Sequence, residues 1–379
     1  MIFSPTELTV RERRIRHDVR AFLATALPAD YRPGLGFAAA HDPEFSRSLA
    51  ERGWVGMTIP AEYGGSGATF VERYVVVEEL LAAGAPVAAH WVSDRQTAAM
   101  FLRYGTEEQR KEFLPGIAAG ECYFSLGMSE PDAGSDLAAV RTSGRRVDGG
   151  WLINGTKVWT TNAHLNHFMV ALCRTSPAEV KHSGLSQMII DLGAPGVEVR
   201  PIEFLDGSHH FNEVVLTDVF VPDERVLGEI GAGWVQVTSE LAHERSGPDR
   251  YLTVMAPLTA FVRELADREA TPFQHAALGR IAAKLWAVRQ LGLAVARALD
   301  AGMTPATDAA LVKDLGTSIE QEIIETLRLV SSMEFDPRTD SLFSSLMAEA
   351  VATGPSFTIR GGTTEVLRSV ASKGLEVHA

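Results

Sequence analysis

The spacing of apolar residues changes period twice along this chain, and those two changes restrict its fold more than anything else in the sequence. Up to about residue 120, apolar positions recur at helical spacing, as at Ile15, Val19, Phe22 and Leu23. From Cys122 the pattern breaks into short β-branched and aromatic runs over residues 122–128, 140–147, 151–160, 168–174, 187–191, 197–203 and 213–221, most of them separated by Gly, Asp, Asn or Pro. From Gly233 helical spacing returns, in candidate helices over 235–269, 273–299, 307–332 and 340–352. Helices do not alternate with these strands, and no Gly-x-Gly-x-x-Gly turn follows the first of them, so a dinucleotide-type doubly wound sheet is excluded. The expectation is an α+β chain with an N-terminal helical domain over 1–120, a middle antiparallel β-barrel or sandwich over 121–230 and a C-terminal helical bundle over 231–379.

Local signals refine this outline. Ser4 and Glu7 stand at capping-box spacing and predict a helix start. Further helices are expected over 44–51, 72–83, 87–104 and 107–118, with a loop from Pro60 to Gly67. Asp148-Gly-Gly150 and Asn154-Gly155 are hairpin signals. Gly247-Pro248 should bend the helix over 235–269, because proline removes a backbone donor and clashes with the preceding turn.

Charge and cysteine content exclude several function classes. Lys plus Arg is 35 against 48 for Asp plus Glu, a net charge of -13, which disfavours nonspecific nucleic-acid binding. An anionic cofactor can still be held by local donors. Two cysteines, Cys122 and Cys173, make no disulfide framework, and with no Cys/His cluster of zinc-ligand spacing no metal site is expected. The N-terminal stretch carries Glu7, Arg11, Glu12, Arg13, Arg14 and Arg16 rather than a signal peptide, and no uncharged apolar run approaches the ~20 residues of a membrane span. A cytoplasmic location is the expectation. His209-His210 has no ligand-type neighbours and reads as solvated loop, and His243 reads as a packing or surface residue.

Chemistry concentrates in two motifs. Gly127-Met-Ser-Glu-Pro-Asp-Ala-Gly-Ser-Asp136 is a small-residue loop offering backbone N–H groups and hydroxyls to polar ligand atoms. Lys157-Val-Trp-Thr-Thr-Asn162 follows, and its Trp159 offers a flat face to an aromatic ring system. In this order they resemble the flavin-binding core of the acyl-CoA dehydrogenases. The resemblance extends through Tyr104-Gly-Thr-Glu-Glu-Gln-Arg-Lys-Glu-Phe-Leu-Pro115, Phe211-Asn-Glu-Val-Val-Leu-Thr-Asp-Val-Phe-Val-Pro222 and Ile359-Arg-Gly-Gly-Thr-Thr-Glu-Val-Leu-Arg368. It implies the fold read above, ending in a four-helix bundle, and a chain that binds FAD and oxidises an acyl-CoA thioester to the trans-2-enoyl-CoA. By resemblance, Leu126, Met128, Ser129 and Ser135 line the flavin and the thioester, Trp159 packs on the isoalloxazine and Thr161 sits near its N5 edge. Thr363 and Glu365 contact the FAD phosphate or ribose.

The reaction removes an α-proton and passes the β-hydride to flavin N5, so it needs a carboxylate base and a stabilised enolate-like oxygen. Many members of the family place the base just before the final Gly-Thr, where this chain has Gly361. Others place it on the first long helix of the bundle, immediately before an arginine, and Leu241-Ala-His-Glu-Arg245 matches that pattern. Glu244 is therefore the candidate base, Arg245 the residue that orders the substrate site, and the Gly361 backbone N–H the donor to the thioester carbonyl.

Two family patterns are missing. An Arg-x-x-Phe-Gly turn is replaced by residues 267–274, and no Gln-x-x-Gly-Gly-x-Gly segment occurs over 333–357. In the usual dimer both reach the neighbour's FAD. The resemblance therefore points to a homo-oligomer or to a heterotetramer with a homologous subunit, as in members that degrade sterol side chains, with an electron-transferring flavoprotein as acceptor. Two alternatives are a non-catalytic or co-catalytic partner subunit, and an oxygen-using oxidase or monooxygenase on the same fold.

Overall fold

The computed structural model describes all residues except 1–5, 39, 178–179, 206, 267–268, 332 and 377–379, and for residues 38, 240–244 and 376 it describes the backbone alone. Helices α1 (Val10–Ala26), α2 (Pro43–Ala50), α3 (Phe70–Ala82), α4 (Ala88–Val92), α5 (Ala98–Tyr104) and α6 (Glu107–Ala118) come first. Strands β1 (Phe124–Gly127), β2 (Ser143–Val147), β3 (Gly150–Thr161), β4 (Phe168–Arg174), β5 (Leu185–Asp191), β6 (Val197–Ile202), β7 (Phe211–Pro222) and β8 (Val226–Leu227) follow. Helices α7 (Gly233–Glu244), α8 (Met255–Ala266), α9 (Pro272–Asp300), α10 (Ala306–Ser331), α11 (Leu342–Thr353) and α12 (Thr364–Glu376) complete the chain. These elements fall into two compact units: Met1–His41, Thr69–Val87 and Ala242–Ala379 form one, here the helical unit, and Asp42–Ala68 with Ala88–Leu241 form the other, here the β unit.

In the β unit the strands pair in the order β6-β7-β3-β2-β4-β5-β8, almost wholly antiparallel. The exceptions both involve β4: β1 runs parallel to it in the register Phe124↔Phe168, entering from a helix rather than from a hairpin, and β2 meets it in parallel at Ser143↔Arg174. Phe113 of α6 sits edge-on to Phe124 and Phe168, with ring centroids 5.3 and 5.2 Å apart, and these three rings anchor the helix to β1 and β4. Truncating one such buried ring costs about 3–5 kcal/mol. A second apolar layer, including Ile153, Met169, Ala171, Met188 and Val214, lies within the sheet's other packing face.

Asp148-Gly149 makes the expected hairpin turn, with Val147 opposite Gly150 and Gly149 at φ +72. Asn154-Gly155 does not turn the chain. It lies inside β3, where the register with β7 slips between Ile153 and Gly155. A Cβ at Gly155 would come within 2.7 Å of the Thr142 Cα, so glycine is required here for close approach. The Asn154 side chain is committed to β7, accepting from Asp218 N and donating to its carboxylate, both at 2.9 Å. The helix expected over 87–104 is also interrupted, by a π-helical turn at Ser93–Thr97 between α4 and α5.

In the helical unit α3 packs on α1 and α9, α10 on α9 and α12, and α11 on α8. Phe261, Ile323, Leu327, Phe343 and Met347 are fully buried between them. The helix start at Ser4 falls outside the described residues. Helix α1 instead opens at Val10 with a capping box between Thr9 and Glu12. Gly247-Pro248 ends a helix rather than bending one: Gly247 is extended, as a residue before proline prefers, and a short 3₁₀ turn at Pro248–Arg250 separates α7 from α8.

Candidate functional site

In the β unit the Gly-Ser loop and the Trp-bearing strand are tied together from beneath. Glu130 and Ala133 exchange backbone hydrogen bonds of 2.9 and 3.1 Å around Pro131-Asp132, and the Ser129 carbonyl accepts from Val158 N at 2.9 Å. Lys157, wholly buried, donates to the Met128 carbonyl at 3.1 Å and to the Glu130 carboxylate at 2.9 Å. The same carboxylate accepts from Arg141 N at 2.7 Å and Thr142 N at 2.8 Å. Burial works against a charge on Glu130, but the Lys157 ammonium and these N–H donors outweigh it and hold the carboxyl below its usual range. Burial lowers the Lys157 pKa, with Cys173 and Glu130 opposing, and the pair ties the loop at Met128 and Glu130.

Trp159 sits just beyond that anchor, in a bulge where β3 slips against β7 between Lys157 and Thr160. Its φ is +60, a left-handed conformation that costs a non-glycine residue roughly 1–2 kcal/mol. The flanks impose it: Thr160 is buried, the Thr161 carbonyl accepts from Ser125 Oγ at 2.8 Å, and Asn162 N donates to the His210 carbonyl at 2.7 Å. Only the Phe211 ring edge meets the indole among the described aromatic contacts, at 5.8 Å, and 55% of Trp159 remains exposed. A large aromatic held on strained backbone with a free face is built for a planar ligand rather than for the core. Leu126, Met128, Ser129 and Thr161 are half-buried around this stretch and Ser135 is exposed.

In the helical unit a second set surrounds a two-glycine turn. Gly361 and Gly362 have φ of +67 and +100. Arg245, buried, extends Nε to the Gly361 carbonyl at 3.4 Å. Lys313 of α10, wholly buried, donates to the Gly362 carbonyl at 2.9 Å and to the Phe357 carbonyl at 3.3 Å. On the other side of the turn Arg360 donates to Thr253 Oγ1 at 2.8 Å and lies 3.9 Å from the buried Glu320, which accepts from Thr253 N at 2.7 Å. Burial dominates at Glu320 and raises its pKa, with Arg360 and Thr253 opposing. Thr363 caps α12, accepting from Val366 N at 3.4 Å. Glu365 is exposed, and its own N–H and the Thr363 hydroxyl lower its pKa.

The backbone of Glu244 ends α7, but its side chain and that of His243 lie outside the described residues. His209 and His210 stack among His164, Phe204 and Phe211, and among the described residues no group of three or more His, Cys, Asp or Glu could hold a metal.

Residues 9–121 match the acyl-CoA dehydrogenase N-terminal domain and residues 125–219 the acyl-CoA dehydrogenase middle domain. Acyl-CoA dehydrogenase FadE29 of Mycobacterium tuberculosis is 33% identical over 387 residues, spanning 98% of each chain. This chain belongs to the acyl-CoA dehydrogenase family. FadE34 of the same organism is 34% identical over 92% of this chain, which spans about half (48%) of that relative's length. Among solved structures, the Tcur3481-Tcur3483 steroid ACAD superposes with a TM-score of 0.88 at 30% identity, covering 98% of both chains. The ChsE4-ChsE5 complex from Mycobacterium tuberculosis superposes with a TM-score of 0.86 at 28% identity, over 99% of this chain and 100% of that one. Acyl-CoA dehydrogenases are FAD flavoproteins, and the exposed Trp159 face beside the anchored Ser129 loop fits the cofactor's planar ring. No helix among the described residues is long and apolar enough to cross a membrane.

The family motifs contain Glu130 and Lys157 without setting them apart, and Lys313 lies in none of them. Alternation along β3 carried a signal: Trp151, Ile153 and Lys157 occupy odd positions and all are buried. Lys313 likewise lies on the buried stripe of α10 with Ala309, Gly316 and Glu320. A charged residue in phase with an apolar stripe marks a built interaction.

Proposed function

We propose that this chain catalyses the α,β-dehydrogenation of an acyl-CoA thioester to the trans-2-enoyl-CoA, with Glu244 as the base. The observation that carries the reading is Gly361: a residue without a side-chain acceptor, at φ +67, in a chain whose α7 ends on Glu244 followed by Arg245. The Glu244 carboxylate removes the α-proton, the Gly361 N–H stabilises charge on the thioester oxygen, and Arg245 and Ser135 order the substrate. FAD, when bound, accepts the β-hydride at N5. Leu126, Met128, Ser129, Trp159 and Thr161 hold the flavin ring and its edge, and Thr363 and Glu365 contact its phosphate or ribose.

The acyl group is of steroid type, a reading supported by similarity to a steroid ACAD. The electron acceptor is an electron-transferring flavoprotein. Assembly with a homologous subunit is supported by the missing patterns over 267–274 and 333–357, by similarity to the ChsE4-ChsE5 complex and by exposed apolar side chains on the long helices, Phe273 at 58%, Trp286 at 56% and Leu329 at 72%. Anaerobic addition of a CoA-thioester series, from short branched to steroid-sized acyl groups, should bleach the flavin most rapidly with the steroid-sized members. Equal inertness of all of them would reject the activity. Stoichiometric flavin retained by the chain purified alone would reject the need for a partner. The same absences favour one second reading, a subunit that completes the flavin site of another chain; turnover by the isolated chain would exclude it.

A further inference from the structure

The Gly361-Gly362 turn is built from residues with the least backbone preference of their own. Both glycines sit at positive φ, where glycine is at ease but is also free to leave, so the direction of the Gly361 N–H must be set by outside bonds. Those bonds come from three cations. Arg360 is tied to Thr253 and Glu320 just before the turn, Arg245 reaches the Gly361 carbonyl, and Lys313 binds the carbonyls of Phe357 and Gly362. Lys313 is the one that spans the whole segment, from before the turn to its end.

We propose that Lys313 is a positioning residue for the reaction: its ammonium fixes the peptide planes from Phe357 to Gly362 and so aims the Gly361 N–H at the thioester oxygen. The inference rests on the Gly361 reading and extends it to a residue inside α10. Burying an ammonium costs several kcal/mol before compensation, whereas an apolar side chain of similar length would fill the same space without that cost. A packing role alone does not explain a lysine with no exposed surface. The two carbonyls it meets belong to one six-residue segment, Phe357 to Gly362, which is what a clamp on that segment requires.

The test uses the FAD-loaded enzyme with any subunit it needs. In a Glu244→Gln background a bound acyl-CoA labelled with ¹³C at its thioester carbonyl stays unreacted, and isotope-edited infrared spectroscopy reads the polarisation of that carbonyl. Binding should move the stretch to lower frequency. Adding Lys313→Met should abolish most of this shift. With Glu244 intact, Lys313→Met should lower kcat on the order of 10²-fold, the effect of losing one oxyanion donor, with a much smaller change in KM. A full shift and an unchanged kcat in the folded Lys313→Met enzyme would overturn the proposal. If Lys313→Met does not fold, Lys313→Arg keeps the charge but replaces the compact ammonium by a planar fork. A reduced shift and lowered kcat in that variant support the clamp, and wild-type values of both overturn it. No shift in the Glu244→Gln parent would instead remove the Gly361 reading, and the role of Lys313 with it.

Discussion

Lys157 and Lys313 are both wholly buried, one on a strand of the β unit and the other on a helix of the helical unit, and both donate to carbonyls of a small-residue loop. Their surroundings differ. Lys157 also meets Glu130, whose pKa is held low, so that site is a closed ion pair with further N–H donors on the carboxylate. Lys313 meets the carbonyls of a glycine turn, and the acid on the same helix stripe, Glu320, has its pKa raised by burial. The β unit thus ties its loop through a carboxylate with several donors, whereas in the helical unit cationic side chains donate directly to the carbonyls of the turn. A flavin face needs a rigid platform. In the proposed reaction the Gly361 N–H needs only its direction fixed, which bonds to the turn's carbonyls can do.

Breaking the charged anchor should have the largest effect on folding. Lys157→Met leaves Glu130 buried without its cation and should destabilise the β unit by about 3–5 kcal/mol in urea titrations. Adding Glu130→Gln should recover part of that loss, because the uncompensated charge is then gone. Lys313→Met removes the donor to the Phe357 and Gly362 carbonyls and should cost less, about 1–3 kcal/mol. The reverse ranking would remove the distinction between the two anchors.

Acidity separates the units in the opposite sense. Glu130 has a folded pKa below its ordinary value, so its contribution is present above about pH 4.3 and disappears as pH falls through the lowered value. Glu320 has a folded pKa above its ordinary value, so its contribution is present below about pH 4.3 and is lost as pH rises through the raised value. Stability curves of Glu130→Gln and Glu320→Gln against pH should therefore diverge from wild type at opposite ends. Wild type should lose stability relative to Glu320→Gln as pH rises. A Glu320→Gln curve parallel to wild type would contradict this.

The smallest effect concerns Trp159. Replacing it by glycine removes a left-handed non-glycine residue and little buried surface, so stability should stay level or rise by about 1 kcal/mol while flavin dissociates faster. Lost stability with unchanged flavin retention would mark Trp159 as a core residue.

Legibility in the sequence followed how local the determinant is. The strand at 168–174 and the helix at 107–118 were read to the residue, because alternation and capping are encoded within the element. Asn154-Gly155 was misread because its meaning lies in Thr142, distant in sequence and adjacent only after folding. Gly247-Pro248 was read as a bend where the chain makes a break, since the extended Gly247 is settled by the buried 3₁₀ turn after it. The apolar spacing predicts no helix beyond 352, whereas α12 follows Thr363, whose hydroxyl accepts from Val366 N. In the candidate site the motif named the loop and the tryptophan. The ion pair beneath them, the bulge that exposes the indole and the lysine behind the glycine turn are long-range pairings without a contiguous pattern.

The assignment of Glu244 as base is tested most directly by mixing the FAD-loaded wild type and its Glu244→Gln variant with an acyl-CoA that bleaches the wild type, without oxygen. If Glu244 removes the α-proton, the variant should bind the thioester and its flavin should bleach about 10²–10⁴-fold more slowly. Bleaching at the wild-type rate would contradict the assignment.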